Sequence, residues 1–176
     1  NPDSELYGLA PETIVLFYDA ADIFGNRLIR PFENTEPNDQ TALGEIESAI
    51  NVITSISPGT RIIINTIPVP AISGIGRLEY GTEQGFREAQ HEHNSAIATL
   101  ANEHAQVLIY DYAALAESHG LSAWYDERMW FLARSRLARE SIAALATDIA
   151  DYLVTASTSR AKVIVVDLDN TCWGGV

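Results

Sequence analysis

The sequence predicts an α/β fold: a three-layer α/β/α sandwich around a mainly parallel sheet. Three observations carry that expectation. Thr13–Tyr18, Arg61–Ile67 and Val107–Tyr110 are short, continuous apolar runs, the pattern of strands buried on both faces. Helical periodicity fills the intervals between them, so each strand is followed by a crossover long enough to make its neighbour parallel. Long loops follow the first two strands at their carboxyl ends, where open α/β sheets hold ligands.

The elements follow in order. Asn1–Pro11 is a polar lead-in. After the first strand a loop runs through Gly25, Pro31 and Pro37. From Asp39 to Ser57, Leu43, Ile46, Ile50 and Ile53 mark one face of a helix. Ser57-Pro-Gly-Thr60 ends it. Pro68 and Pro70 stop the second strand, because proline cannot donate to a ladder. Ala71–Gly85 is a glycine-rich loop, and a helix opens at Glu83 or Gln84 and runs to about His104. Its apolar face carries Phe86, Ala89, His93, Ala96, Ile97 and Leu100. A short helix near Tyr112–Ser118 follows the third strand, then an aromatic-rich loop at Gly120–Trp130. The last helix spans about Ser135 to Val154, with Ala138, Ile142, Leu145, Ile149 and Leu153 inward. Residues 155–161 read as a linker.

Composition sets bounds. A chain of 176 residues buries one good core. Apolar content of 47% is that of a globular domain. No apolar stretch approaches the ~20 residues of a membrane helix, and no signal-peptide pattern opens the chain. One cysteine makes no internal disulfide, so a cytoplasmic setting is expected. With 24 acidic against 11 basic residues and a formal charge of −13, the chain lacks the basic footprint of a nucleic-acid binder. Arg128, Arg134, Arg136 and Arg139 form the densest positive cluster, read as solvated helix charge with docking of an acidic partner as the rival.

The most informative stretch is Lys162–Val176. Val163-Ile-Val-Val166 reads as a buried strand, and Asp167 and Asp169 follow at alternate positions. Residues i and i+2 of a strand point the same way, so the two carboxylates can meet one substrate. The pattern resembles motif I of the haloacid-dehalogenase-like (HAD) phosphotransferases, Asp-x-Asp-x-Thr. The resemblance implies that Asp167 is the nucleophile and a Mg²⁺ ligand. It implies that Asp169 is the general acid/base and offers the metal its backbone carbonyl, and that Thr171 holds phosphate. The chemistry suits these residue types: a carboxylate can attack phosphorus, and a divalent cation offsets the repulsion between the two anions.

The longer string Asp167-Leu-Asp-Asn-Thr-Cys172-Trp-Gly-Gly-Val176 resembles the FkbH-like glyceryl transferase/phosphatases of polyketide pathways. These join an SGNH-hydrolase-like region to a HAD-like domain. The resemblance implies residues 1–154 as an SGNH-like, flavodoxin-like domain lacking its first βα unit. It implies residues 162–176 as the first strand and motif I of a truncated HAD-like Rossmannoid domain. It also implies dephosphorylation of 1,3-bisphosphoglycerate, a phosphorylated three-carbon substrate, and loading of the glyceryl unit onto an acyl carrier protein. Self-association is left open. Cys172 has two readings: a thiol that takes the acyl group as a thioester, or a small space-filling residue.

The SGNH catalytic set does not map onto this chain. Where that family has Gly-x-Asn-Asp, the chain has Asp19-Ala20-Ala21-Asp22, and Ala21 has no side-chain amide. Where the family has Asp-x-x-His, the chain has Asp126-Glu127-Arg128-Met129, and Met129 cannot take a proton. The first domain is therefore read as a non-hydrolytic scaffold or docking module, with a divergent esterase as the weakest reading. His91 and His93 diverge on their helix, which makes them poor joint metal ligands. His93 shares the apolar face and reads as a core histidine. His104 and His119 sit at helix ends. Trp124, Tyr125, Trp130 and Phe131 read as a packing cluster, with a recognition surface as the rival.

A HAD-like site needs groups beyond motif I, so the 176-residue chain by itself is expected to have no phosphatase activity. Incubation with an acyl phosphate and Mg²⁺ should release no phosphate above the rate in buffer.

Overall fold

The structure is a computed structural model. It describes residues 5–25, 39–69, 76–81, 85–126, 128–129, 132 and 135–157. Three parallel strands form the described sheet in the order β1-β2-β3: β1 is Thr13–Leu16, β2 Arg61–Asn65 and β3 Val107–Tyr110. Their register pairs Ile14 with Ile62 and Ile62 with Val107. Helices lie on both sides, so the α/β sandwich expected from the sequence is the observed architecture.

Side-chain alternation along the strands sorts the helices. Ile62 and Ile64 point to one face, where helix α2 (Asp39–Ile56) brings Ile46, Ile50 and Ile53, and helix α3 (Phe86–Glu103) brings Ile97. Each fully buried isoleucine there contributes about 2 kcal/mol by leaving water. Ile63, one residue out of phase, points to the other face. Helix α4 (Tyr112–His119), the single turn α5 (Leu121–Trp124) and helix α6 (Arg139–Ser157) cover it. A third cluster sits at the carboxyl end of the sheet. There the short helix α1 (Ala20–Phe24) packs Phe24 edge-on against Phe86 at 5.3 Å.

Several expected bounds change, each for a physical reason. The first run forms a strand only to Leu16 and the second only to Asn65. Beyond these points side-chain amides take over the Tyr18 and Ile67 backbone, while the Thr66 N–H still donates to the Tyr110 carbonyl at 3.0 Å. Asn65 accepts from the Tyr18 N–H at 2.8 Å and donates to the Tyr18 carbonyl at 2.8 Å and the Thr66 carbonyl at 2.9 Å. Asn94 accepts from the Ile67 N–H at 2.9 Å and donates back to the Ile67 carbonyl at 2.9 Å, joined there by Gln90. The segment after Tyr18, expected to be loop, folds into α1. Its capping box pairs Asp19 with Asp22, and the Asp19 N–H donates to Asp22 Oδ2 at 2.8 Å. The polar lead-in contains a 3₁₀ turn at Glu5–Leu9, and the glycine-rich loop another at Gly76–Glu79.

The aromatic loop is also more ordered than its composition suggests. Gly120 at φ 84° ends α4 and starts α5, a conformation that L side chains rarely adopt. A bridge between Tyr125 and Leu137 then ties the loop to the segment entering α6. On α6 the inward stripe keeps Leu145, Ile149 and Leu153 as expected but not Ile142. Ser141 is buried, and Ala144, Leu145, Ile149, Tyr152 and Leu153 pack on the sheet. Ile142, expected inside, is 51% exposed. The helix continues through Ser157, three residues into the stretch read as linker. Its Thr155 and Ser157 hydroxyls bond back to the Asp151 and Leu153 carbonyls.

The reading of the first strand as buried on both faces is corrected. Among the described residues β1 pairs only with β2, so it forms an edge of the sheet. Ile14 is buried under α2, but Val15 is 40% exposed and Phe17 just beyond it 38%. A groove of about 540 Å³ opens between β1 and α2, with Ile14, Leu16, Gly44, Ser48 and Val52 in its lining. No helix among the described residues is long and apolar enough to cross a membrane.

The Asn65 clamp gives a direct test of this account. Replacing Asn65 by Ala leaves the partly buried Tyr18 N–H and carbonyl without those bonds. It should cost about 2–4 kcal/mol, since each stranded group costs about 1–3 kcal/mol. Urea denaturation should show a lower midpoint at unchanged slope.

Candidate functional site

Chemistry-bearing side chains collect at the carboxyl ends of the three strands. β1 runs on through Phe17 and Tyr18 to Asp19, β2 ends in Asn65 and Thr66, and β3 is followed by Asp111 and Tyr112. Asn65 holds the Tyr18 peptide and so sets the exit path that delivers Asp19 to this edge. Thr66 donates its hydroxyl to Asp111 Oδ1 at 2.8 Å and accepts from the Ala113 N–H at 3.0 Å. That pair locks the carboxyl ends of β2 and β3 together.

The carboxylates of Asp19 and Asp111 at this edge, and that of Asp126 after α5, are engaged in holding backbone. Asp19 accepts from the Ala20 N–H at 2.8 Å and caps α1. Asp111 accepts from the Ala114 N–H at 3.2 Å and caps α4. Asp126 accepts from the Arg128 N–H at 3.0 Å, while its own N–H donates to the Arg136 carbonyl at 2.7 Å. Aspartates in these positions satisfy helix and turn N–H groups that would otherwise lack acceptors. Met129, next to this turn, offers no base.

An aromatic and hydroxyl cluster lies beneath this edge. Trp124 Nε1 donates to the Tyr112 hydroxyl at 2.9 Å, with both side chains fully buried. Phe17 meets Tyr112 edge-on at 5.1 Å, and the exposed His119 ring stacks obliquely on Trp124 at 4.9 Å. The hydroxyls of Tyr112 and Tyr125 lie close enough to perturb each other. Their approach falls short of hydrogen-bond geometry, and the buried Tyr125 oxygen has no partner that meets it. Burial pushes the Tyr125 hydroxyl above the usual tyrosine range; Tyr112 and Asp19 add to the shift and Arg136 opposes it. Burial likewise raises Tyr112, where the bond from Trp124 works against it. Tyr110 is raised by burial and by donating to Asp148 Oδ2 at 2.7 Å, and Tyr18 by burial and the nearby Glu45 and Asp22. Neutral phenols with this environment pack and donate; they do not serve as bases near neutral pH.

The residues singled out in the sequence fare differently. Asp167, Asp169, Thr171 and Cys172 lie outside the described residues, as do Trp130, Phe131 and Arg134. Trp124 and Tyr125 belong to the core beneath α6, which is the packing reading. His93 is 2% exposed on the inner face of α3 while His91 is exposed, so the two do diverge. The arginine cluster needs correction. Arg128 and Arg139 are exposed, but Arg136 is 7% exposed and buried beside the Tyr125 cluster. It is therefore not solvated helix charge. Among the described residues no three His, Cys, Asp or Glu side chains gather as a metal site. The amides of Asn65, Gln90 and Asn94 were missed. Their sequence signal is faint, because an asparagine after an apolar run also reads as a turn residue.

No family model matches the chain, and no curated protein matches it. One solved structure does. It is the N-terminal part of the protein BF1531 from Bacteroides fragilis, containing a phosphatase domain and complexed with Mg. The match has a TM-score of 0.67 at 16% sequence identity and covers 100% of this chain. The chain spans 46% of that structure, less than half its length. The likeness establishes a shared fold with a phosphatase-containing protein.

The tyrosine cluster supports an alkaline test. An unfolded tyrosine ionises near pH 10, whereas Tyr125 in the fold stays neutral to higher pH. Above pH ~10 the unfolded chain therefore binds fewer protons than the folded one, so this contribution is intact below that pH and fades as pH rises. Tyr125→Phe should leave stability at pH 7 unchanged or raise it by up to about 1 kcal/mol, and should lessen the alkaline loss. Tyr112→Phe deprives Trp124 of its acceptor and should cost about 1–2 kcal/mol. Thermal melts at pH 7 and above pH 10 check both.

Proposed function

We propose that this polypeptide is part of a Mg²⁺-dependent phosphatase and acyl transferase of the FkbH-like kind. Residues 1–154 would form its non-hydrolytic platform, and residues 162–176 would open the catalytic domain. The observation that carries the reading is the whole-chain likeness to a protein that contains a phosphatase domain and holds Mg. The Asp167-x-Asp169-x-Thr171 string agrees with it. The platform reading draws support from Asp19, Asp111 and Asp126, whose carboxylates are engaged with backbone N–H groups.

The donor set suits a hard cation: the Asp167 carboxylate and the Asp169 carbonyl are both oxygen ligands. When bound, Mg²⁺ would neutralise charge between carboxylate and phosphate. Asp167 would attack the phosphorus of the phosphate ester, and the bond from phosphorus to the ester oxygen would break. Asp169 would protonate that oxygen and then take a proton from the water that hydrolyses the aspartyl-phosphate. Thr171 would hold phosphate oxygens. At the acyl phosphate end the Cys172 thiolate would attack the carbonyl carbon. Phosphate would leave, and a thioester would form for transfer to the thiol of a carrier protein. The substrate proposed is 1,3-bisphosphoglycerate, and the partner an acyl carrier protein.

A second reading is a non-catalytic SGNH-like docking module for a carrier protein or for self-association. The open β1 edge favours it.

The deciding experiment uses the complete natural polypeptide with 1,3-bisphosphoglycerate and Mg²⁺. Intact-mass spectrometry should find a glyceryl adduct that vanishes in Cys172→Ala. Asp167→Asn should cut release of phosphate from the ester by ~1,000-fold or more, the scale expected on losing a nucleophile. Full turnover by Asp167→Asn, or loading that persists without Cys172, would sink the corresponding role. Carrier-protein binding with no turnover at all would leave the docking reading standing.

A further inference from the structure

We draw no further inference here: the strongest candidate, the open edge of β1 with the groove of about 540 Å³ between it and α2, is an unpartnered apolar face, and nothing in the structure shows what covers it.

Discussion

Much of this structure depends on one side-chain amide reading as backbone. Asn65, 2% exposed, pairs with both peptide groups of Tyr18 as a neighbouring strand would. β1 and β2 can therefore part at their carboxyl ends without stranding partly buried polar groups, which would be costly. Once they part, α1 can start at Asp19 and its apolar residues can reach Ala42 and Phe86. Asn94 and Gln90 do the same for Ile67 from the side of α3. Two strand ends are thus splayed and held, and the aspartates and tyrosines gather in the space they frame.

That space is the usual ligand position of a parallel sheet, yet its carboxylates are occupied with the scaffold. Asp19, Asp111 and Asp126 each sit at the start of a helix or turn and accept from backbone N–H groups. The neighbouring hydroxyls are held neutral by burial. Position on a fold is therefore a poor guide to chemistry when the groups found there are already bonded. This is why the proposed chemistry rests on the aspartates and cysteine of the last residues and not on the described sheet edge.

The arginine cluster and the first strand show how local pattern can mislead. Four arginines within a dozen residues suggest one positive surface. The chain entering α6 instead turns Arg136 inward to Tyr125 while Arg128 and Arg139 stay in water. An unbroken apolar run suggests a strand covered on both faces. The Thr13–Tyr18 run has α2 over Ile14 but leaves Val15 and Phe17 substantially open. Hydrophobicity records what a segment tolerates, while burial depends on which elements arrive beside it.

The sequence alone determined the fold class, the alternation of strands and helices, and the inward faces of α2 and α3. Those features come from periodicities of two and 3.6 residues, which are local properties of the chain. It also singled out Asp167, Asp169 and Thr171 by their resemblance to a phosphotransferase motif, and Cys172 by its place directly after Thr171. Only the tertiary structure decided where the strands stop and which arginine is buried. The strand ends depend on partners tens of residues away, such as Asn65 on Tyr18, Asn94 on Ile67 or Thr66 on Asp111. Such pairings leave no period in the sequence, because a buried amide is positioned by the backbone it meets and not by its own neighbours.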